Sequence, residues 1–408
     1  MDFNKTPRLL IMMFVQYFMQ GAWNMTMGLV LSSYGMATII GSSYALLGIA
    51  TILSPLFIGL VADRFFASQK VMGVLHLLNS VVLLTVPYCI ESRDTGLTLL
   101  AIFAVGLLFY PTTALANSIS FSHINGVRYF PLIRVSGTLG FMVIGFIIGE
   151  MGYSGNTMTW FIAAACGAAL GLYCFTLPPT PPQAKDSPFA IRDLLCLDAL
   201  ALFKDRNFSI LMASILVLMI PKTAYSAYIP VYLKDLGFDN AASIMQIGIA
   251  CEVIFMFLIA TFLLRFGFKT TLMLGAICWV IRLLFFAQAI NGSLLLIICG
   301  LMLQGFCWDF FFTVADIYVD RKAPAKIKAQ AQSLRFIVSN GVGLLIASSV
   351  CGAIFNSSVA NSTVQLSPQW QIFWGYPAAI AAVVVISFGA FFKDDFRRQK
   401  RKELSLKS

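Results

Sequence analysis

Hydrophobic runs recur from one end of the chain to the other, with only short polar segments between them. A run of about 18 or more apolar residues is long enough to cross a hydrocarbon core of about 30 Å as a helix. Twelve runs meet this description, and we number them spans 1 to 12. They cover residues 9–33, 38–61, 70–91, 96–120, 129–152, 157–177, 207–234, 239–264, 268–290, 293–320, 327–353 and 368–392. The pattern predicts an all-α polytopic membrane protein with twelve transmembrane helices.

The longest polar interruption, residues 178–206, divides the spans into two sets of six. Its proline-rich start at 178–182 is stiff and extended, and the pattern at 191–204 favours an amphipathic helix on the membrane surface. Two sets of six spans joined by a long linker are typical of transporters built from two parallel repeats. The pattern predicts four units along the chain. They are an N-terminal six-helix bundle over 1–177, a cytoplasmic linker over 178–206, a C-terminal six-helix bundle over 207–392 and a basic cytoplasmic tail over 393–408.

Composition agrees with a chain embedded in a bilayer. Of the 408 residues, 59% are hydrophobic and only 11% are charged, whereas soluble proteins carry about 25% charged residues. The nine Cys residues lie singly, without a CxxC pair or a His/Cys cluster, so we expect no disulfide framework, no metal site and no cofactor. The first run is too long for a cleaved signal peptide and continues into the fold.

The positions of the basic residues predict the orientation. A net charge of +10 would suggest nucleic acid for a soluble protein, but here the Lys and Arg residues sort by side. In the predicted loops and ends, only Arg93 and Lys234 lie on one side, and all the others lie with the two termini. Because positive residues resist translocation, both termini are predicted to be cytoplasmic.

Six charged residues lie well inside the spans, namely Arg134, Lys222, Glu252, Arg282, Asp309 and Arg335, and Asp316 sits nearer the predicted cytoplasmic end of span 10. A charge at the bilayer centre costs about 2.5–3.5 kcal/mol on insertion scales, so it must face the protein interior and usually marks a pathway. Glu252 lies near mid-depth, where a carboxyl group removed from water can take up and release a proton near neutral pH. The alternative is a permanent ion pair with Lys222, which follows Pro221 at a similar depth.

Three residues of span 5 share one helix face. Arg134 is followed by Thr138 and Phe141 at i+4 and i+7. A fork of donors, a hydroxyl group and a ring suit a ligand that has oxygens and a planar base.

Several motifs resemble those of known transporter families, one of them a superfamily and the other a narrower family within it. The segment from Gly59 to Phe66, with Asp63-Arg64, resembles the G-x-x-x-D-R signature of the major facilitator superfamily, in which Gly59, Asp63 and Arg64 would latch one conformation. A narrower set of segments is similar to the bacterial nucleoside:proton symporter family within that superfamily. These segments are Gln20-Gly21-Ala22-Trp23, Tyr110-Pro111-Thr112, Asn117-Ser118-Ile119, the stretch from Ile133 to Phe141, the stretch from Leu197 to Lys204, and Trp308-Asp309-Phe310-Phe311.

The resemblance implies a nucleoside site in a central cavity, driven by protons. It assigns substrate binding to Arg134, Thr138 and Phe141 of span 5, to Glu252 of span 8, and to Trp308-Asp309 of span 10. Glu252 and Asp309 are the candidates for proton coupling. Elsewhere the chain departs from the family, with Thr223 and Ser226 in place of amides on span 7, Ile249 in place of a Gln and Gln304 in place of a Tyr. The family arrangement also favours a buried ion pair between Arg282 and Asp309.

Lys222 and Arg335 stand where uncharged residues are expected, which predicts either an extra cation in the site and an anionic substrate, or pairing with Glu252 or Asp316. We expect a monomeric importer in the bacterial inner membrane that contacts the lipid bilayer and binds no nucleic acid. A facilitator for a sugar, an anionic nucleoside-like metabolite or a drug is the nearer alternative, and a non-cycling channel or sensor the more distant one. The sequence has no HExxH, GxSxG or nucleotide-binding loop, so neither an enzyme nor an ATP-driven pump is indicated.

Overall fold

The computed structural model describes residues 6–57, 65–123, 130–181, 196–360 and 366–394. Within these ranges every regular element is a helix, as the hydrophobic pattern predicts. In the N-terminal half, span 1 is broken at residues 25–26, and the other spans are single helices. The helices are Thr6–Asn24 and Met27–Ser33 in span 1, Ile40–Phe57 in span 2, Ser68–Glu91 in span 3, Thr95–His123 in span 4, Phe130–Glu150 in span 5 and Met158–Cys174 in span 6.

The C-terminal half is less regular. Spans 10 and 11 contain π-helical segments, and the helices of spans 8 and 9 meet at a kink where Gly267 has non-helical backbone angles. The helices are Arg206–Asp235 in span 7, Ala241–Met256 in span 8, Ile259–Gln288 across spans 8 and 9, Leu294–Met302, Gln304–Cys307, Trp308–Thr313 and Val314–Lys322 in span 10, Lys328–Phe336, Ile337–Gly343, Leu344–Phe355 and Asn356–Ala360 in span 11, and Leu366–Phe391 in span 12.

Nine helices in the described part of the chain are long and apolar enough to cross a membrane. They correspond to spans 2–5, 7 and 9–12. Span 1 is interrupted, and the apolar helices Met158–Cys174 of span 6 and Ala241–Met256 of span 8 are shorter. The exact count of twelve crossings therefore stays a prediction, while the multi-pass helical architecture is confirmed.

Helices pack into two bundles that follow the chain order. In the first, span 1 contacts spans 5 and 6, while span 3 contacts spans 4 and 6. In the second, span 12 contacts spans 7 and 9, and span 11 contacts span 7. Buried aromatic rings fill the second bundle, where the Tyr232 hydroxyl donates a hydrogen bond to the carbonyl of Phe286 at 2.7 Å. The predicted surface helix at 191–204 lies partly outside the described residues, and Ala199–Lys204 forms a 3₁₀ turn.

Glycines bring the two bundles together at one end of the molecule. A Cβ on Gly41 of span 2 would lie 2.6 Å from Gly352 Cα of span 11. Gly28 of span 1 meets the carbonyl of Ala227 in span 7, and Gly149 of span 5 meets Ser243 of span 8. These contacts lie where spans 1, 5, 7 and 11 finish and spans 2 and 8 begin. The bundles are thus closed against each other at this end, which we call the closed end.

Candidate functional site

Arg134 projects from span 5 and contacts span 1. Its Nη1 donates a hydrogen bond to the Tyr17 hydroxyl, and its guanidinium carbon lies 4.7 Å from the centre of the Tyr17 ring. Spans 1 and 5 approach closely because Gly137 has no side chain, and a Cβ there would lie 2.6 Å from Tyr17 Cδ2. The Arg134 side chain is nevertheless exposed, so its remaining donors can reach a ligand.

The two other span 5 candidates lie along the same helix. Thr138 is half-buried, and Phe141 is half-buried against the first bundle, where its ring would be 3.2 Å from a Cβ on Gly21 of span 1. Sequence analysis did not identify Tyr17. Gly137 signals a close helix approach, but nothing in the sequence says which side chain fills it.

Lys222 lies in span 7 and points towards spans 10 and 11. Its Nζ is 4.3 Å from the centre of the Trp308 ring and 5.2 Å from that of Phe312, and it donates a hydrogen bond to Asn340 Oδ1 at 3.3 Å. A cation over an aromatic face is attracted by the ring quadrupole. The alternative of a direct ion pair with Glu252 is therefore wrong in this structure, and Asn340 joins the site as a residue that sequence analysis missed.

Glu252 of span 8 is half-buried and meets span 10. Its Oε2 accepts a hydrogen bond from Gln304 Nε2 at 3.3 Å. The other amide atom, Gln304 Oε1, is buried and has no hydrogen-bond partner among the described residues. The charges of Arg134, Arg282 and Lys222 all act on the Glu252 carboxyl group, so residues of both bundles surround it.

Asp309 is almost fully buried on the π-helical turn of span 10, with 1% of its surface exposed. Its Oδ1 accepts a hydrogen bond from the Thr313 hydroxyl at 3.3 Å, and in the described part of the chain its Oδ2 has no partner. π-Helical turns inside α-helices frequently mark functional sites.

The ion pair predicted between Arg282 and Asp309 is wrong. The Arg282 guanidinium is fully buried and stacks on Tyr225 of span 7, with its central carbon 3.5 Å from the ring centre. None of its side-chain nitrogens has a hydrogen-bond partner in the described ranges. The physical reason is that aromatic faces attract a cation: the guanidinium lies against the ring of Tyr225 in span 7 and near those of Trp279 and Phe286 in its own helix.

Arg335 of span 11 forms an ion pair with Asp316, which is one of the two alternatives that the sequence left open. Its Nε lies 2.8 Å from Asp316 Oδ1, and its Nη2 donates a hydrogen bond to the carbonyl of Phe312 at 2.9 Å. Both partners belong to the C-terminal half of span 10. This ion pair links spans 10 and 11, and Asp316 compensates the positive charge of Arg335.

Two hydroxyl groups of span 7 flank Lys222. The Ser226 hydroxyl donates a hydrogen bond to the Lys222 carbonyl at 3.0 Å, within its own helix. The Thr223 hydroxyl is buried and has no partner among the residues that the structure describes. The latch residues Gly59, Asp63 and Arg64 lie outside the described residues.

A family model described as Nucleoside H+ symporter matches residues 3–397 of this chain. YegT of Escherichia coli strain K12, whose name assigns it provisionally to nucleoside transport, is 34% identical over 95% of this chain and 94% of its own length. The xanthosine permease of the same organism is 28% identical over 98% of this chain and 99% of its own length.

Solved structures agree with these sequence matches. The crystal structure of the nucleoside transporter NupG covers 96% of this chain and 100% of its own, with a TM-score of 0.84 and 26% identity. The structure of a D-xylose–proton symporter covers 95% of this chain and 98% of its own, with a TM-score of 0.72. That second likeness, at 13% identity, concerns the fold alone.

Proposed function

This chain belongs to the nucleoside H+ symporter family, and from that premise we propose that it imports nucleosides across a bacterial inner membrane together with protons. Its class is that of a multi-pass transporter, not an enzyme. The observation that carries the proposal is the setting of Glu252. This carboxyl group is accessible, accepts a hydrogen bond from Gln304, and stands within electrostatic reach of Arg134 on the other bundle.

In this proposal Arg134 and Thr138 bind substrate oxygens, and Phe141 packs against the base or the sugar. Lys222, Thr223, Ser226, Gln304, Trp308 and Asp309 complete the site. A guanidinium group with exposed donors suits the hydroxyl and carbonyl oxygens that a nucleoside presents. The half-buried indole of Trp308 offers a face on which a planar ring can stack.

Glu252 is the proposed coupling group, with Asp309 as the second candidate. When Glu252 binds a proton it loses its negative charge, and its attraction for Arg134, Lys222 and Arg282 disappears. Proton binding therefore changes the field that the substrate meets in the same cavity. This electrostatic interaction couples the two ligands, because the proton on Glu252 alters the free energy of substrate binding and the substrate alters that of proton binding.

Alternating access would work by opening and closing the two ends of the cavity. With cytoplasmic termini, as the basic residues predict, the closed end faces the cell exterior, and the structure represents an inward-facing state. Gly59, Asp63 and Arg64 are the proposed latch on the cytoplasmic side. We propose that the units 1–177 and 207–392 move as a monomer's two bundles around the linker 178–206.

The test is uptake of radiolabelled uridine and adenosine by a transport-deficient bacterium that expresses this chain, with and without a protonophore. We expect saturable uptake that the protonophore abolishes. Arg93→Ala, a change on the predicted outer loop, serves as the matched control for changes at Arg134. Lack of uptake by cells that carry the protein in the membrane would contradict the proposal.

A further inference from the structure

Lys222 differs from the other cations of the cavity in its partners. Arg335 is held by Asp316 at 2.8 Å, Arg282 stacks on Tyr225, and Arg134 contacts Tyr17. The contacts of the Lys222 ammonium are two aromatic faces and one neutral amide oxygen, and among the described residues no carboxylate oxygen lies within 4.0 Å of it. It is a cation in the site with only neutral neighbours.

Proton binding during the transport cycle reduces the negative charge available to compensate Lys222. The charged groups act on Lys222 only at longer range, where Arg335 repels it and Glu252 and Asp316 attract it. Asp316 already pairs with Arg335, and Glu252 becomes neutral when it carries the coupled proton. A buried charge is costly unless an opposite charge compensates it. The proton-loaded cavity therefore has an uncompensated cation beside Trp308.

We propose that the preferred substrate is a nucleoside whose base carries a single negative charge at neutral pH, and that Lys222 binds this base against Trp308. This inference rests on the proposed function, since it names the substrate class of the same cavity. A 2,6-dioxopurine riboside has this chemistry, because its pyrimidine ring loses an N–H proton below neutral pH and the fused imidazole ring delocalises the charge. The ammonium lies 4.3 Å from the Trp308 ring centre, where a stacked base would place its edge.

The geometry favours a singly charged base over a phosphate group. A phosphate carries close to two negative charges and is bound by several charge-assisted donors, commonly from Arg. Arg335, the nearest such donor on span 11, is committed to Asp316 and to the Phe312 carbonyl. One ammonium group with an adjacent amide, Asn340, matches a single delocalised charge flanked by ring oxygens and nitrogens.

Xanthosine and inosine form the matched probe pair, because both are purine ribosides and only xanthosine is anionic at neutral pH. We expect unlabelled xanthosine to inhibit uptake of labelled uridine at about a tenfold lower concentration than inosine, the gain expected from a charge-assisted contact. Lys222→Met should abolish this preference while inosine still inhibits, and Lys222→Arg should retain most of it. Lys234→Met, in the same helix but paired with Asp239 at the outer end, should leave the preference unchanged.

Several outcomes would overturn the inference. If the native protein binds inosine as well as or better than xanthosine, the inference fails while the proposed function stands. If Lys222→Met weakens both nucleosides by the same factor, Lys222 serves the fold and not the substrate charge. If no nucleoside is transported or competes, both the inference and the proposed function fail. The comparison in the native protein decides the matter even if the Lys222 variants do not fold.

Discussion

At the scale of the residue, the Glu252 carboxyl group is central to the proposal because it is half-buried inside a span and contacts another span through Gln304. Glu252→Gln keeps the shape and removes the titratable group. We expect it to lower proton-driven accumulation of substrate at least about tenfold, while exchange of substrate across the membrane without net proton movement continues. Radiolabel uptake and counterflow in proteoliposomes measure the two activities.

Glu150→Gln provides the matched control, because Glu150 is an exposed acid at the C-terminal end of span 5. Its uptake should equal that of the native protein. Asp309→Asn tests the second candidate in the same assays. Full coupling in Glu252→Gln together with loss of coupling in Asp309→Asn would move the role to Asp309.

Arg134 is expected to contribute to substrate affinity through its exposed donors. A hydrogen bond to a charged group is worth about 1.5–3 kcal/mol, so Arg134→Ala should raise the KM for uridine about 10- to 100-fold. Tyr17→Phe keeps the ring beneath the guanidinium and removes only the hydroxyl acceptor, so its effect should be several times smaller. An unchanged KM in Arg134→Ala would exclude this arginine from the site.

Single charged residues were the easiest site candidates to find in the sequence. Charges inside apolar spans are rare and costly, so Arg134, Lys222 and Glu252 stand out without any structure. Their partners were harder to predict. Tyr17 and Asn340 belong to residue types that are common in such a chain, and contact depends on helix rotation, which the sequence pattern does not fix.

At the scale of the element, the glycines of the closed end determine how nearly the bundles approach. Gly41→Leu would push span 2 away from span 11, since even a Cβ there lies 2.6 Å from Gly352 Cα. We expect loss of transport with retained binding of substrate, measured by uptake and by equilibrium binding to the purified protein. Gly375→Leu is the control, because a Cβ at Gly375 meets nothing within 4 Å. Normal uptake in Gly41→Leu would contradict a closing role for this contact.

The start of span 7 carries a helix cap that is tied to span 10. Asp205 accepts a hydrogen bond from the Phe208 backbone N–H at 2.9 Å and pairs with Lys322 Nζ at 2.7 Å. Burial acts to raise the pKa of Asp205, but the hydrogen bonds from Lys322 and Phe208 outweigh it and hold the pKa below its usual value. The charged carboxylate therefore stabilises the folded state.

Asp205→Ala should lower the free energy of unfolding by about 1 kcal/mol, the usual cost of losing a cap. Because the pKa is depressed on folding, the contribution is present above the ordinary Asp pKa of about 4 and is lost as the pH falls below it. Thermal unfolding in detergent at neutral and acidic pH measures the difference. Lys322→Met separates the ion pair from the cap, and equal stability of Asp205→Ala and the native protein at neutral pH would contradict the assignment.

Irregular helices limited prediction at this scale. The spans themselves follow from hydrophobic length, and the described helices agree with most of them. The break predicted between spans 8 and 9 is present as a kink at Gly267, where φ is 80°, although no polar loop separates the two helices. The π-helical turns at Trp308–Thr313 and Ile337–Gly343 had no sequence signal, although the first carries Asp309 and the second carries Asn340.

At the scale of the whole molecule, charged groups of both bundles act on one another, since Arg134 of the first bundle and Lys222 and Arg282 of the second all act on Glu252. The family, the helical architecture and the transporter class predicted from the sequence are confirmed. The domain boundaries, the orientation of the termini and the latch in the loop between spans 2 and 3 stay predictions. The hydrophobic pattern supplies only their expected positions. Labelling from the two sides of the membrane would test the orientation, and the latch lies outside the described residues.

The most direct test of proton-coupled nucleoside transport is substrate-driven proton movement in proteoliposomes that contain the purified protein and an internal pH-sensitive dye. With no imposed pH gradient, an inward concentration gradient of uridine or xanthosine should acidify the lumen. Glu252→Gln should abolish the acidification while radiolabelled substrate still equilibrates. Equilibration of the substrate without any change of internal pH in the native protein would contradict the account.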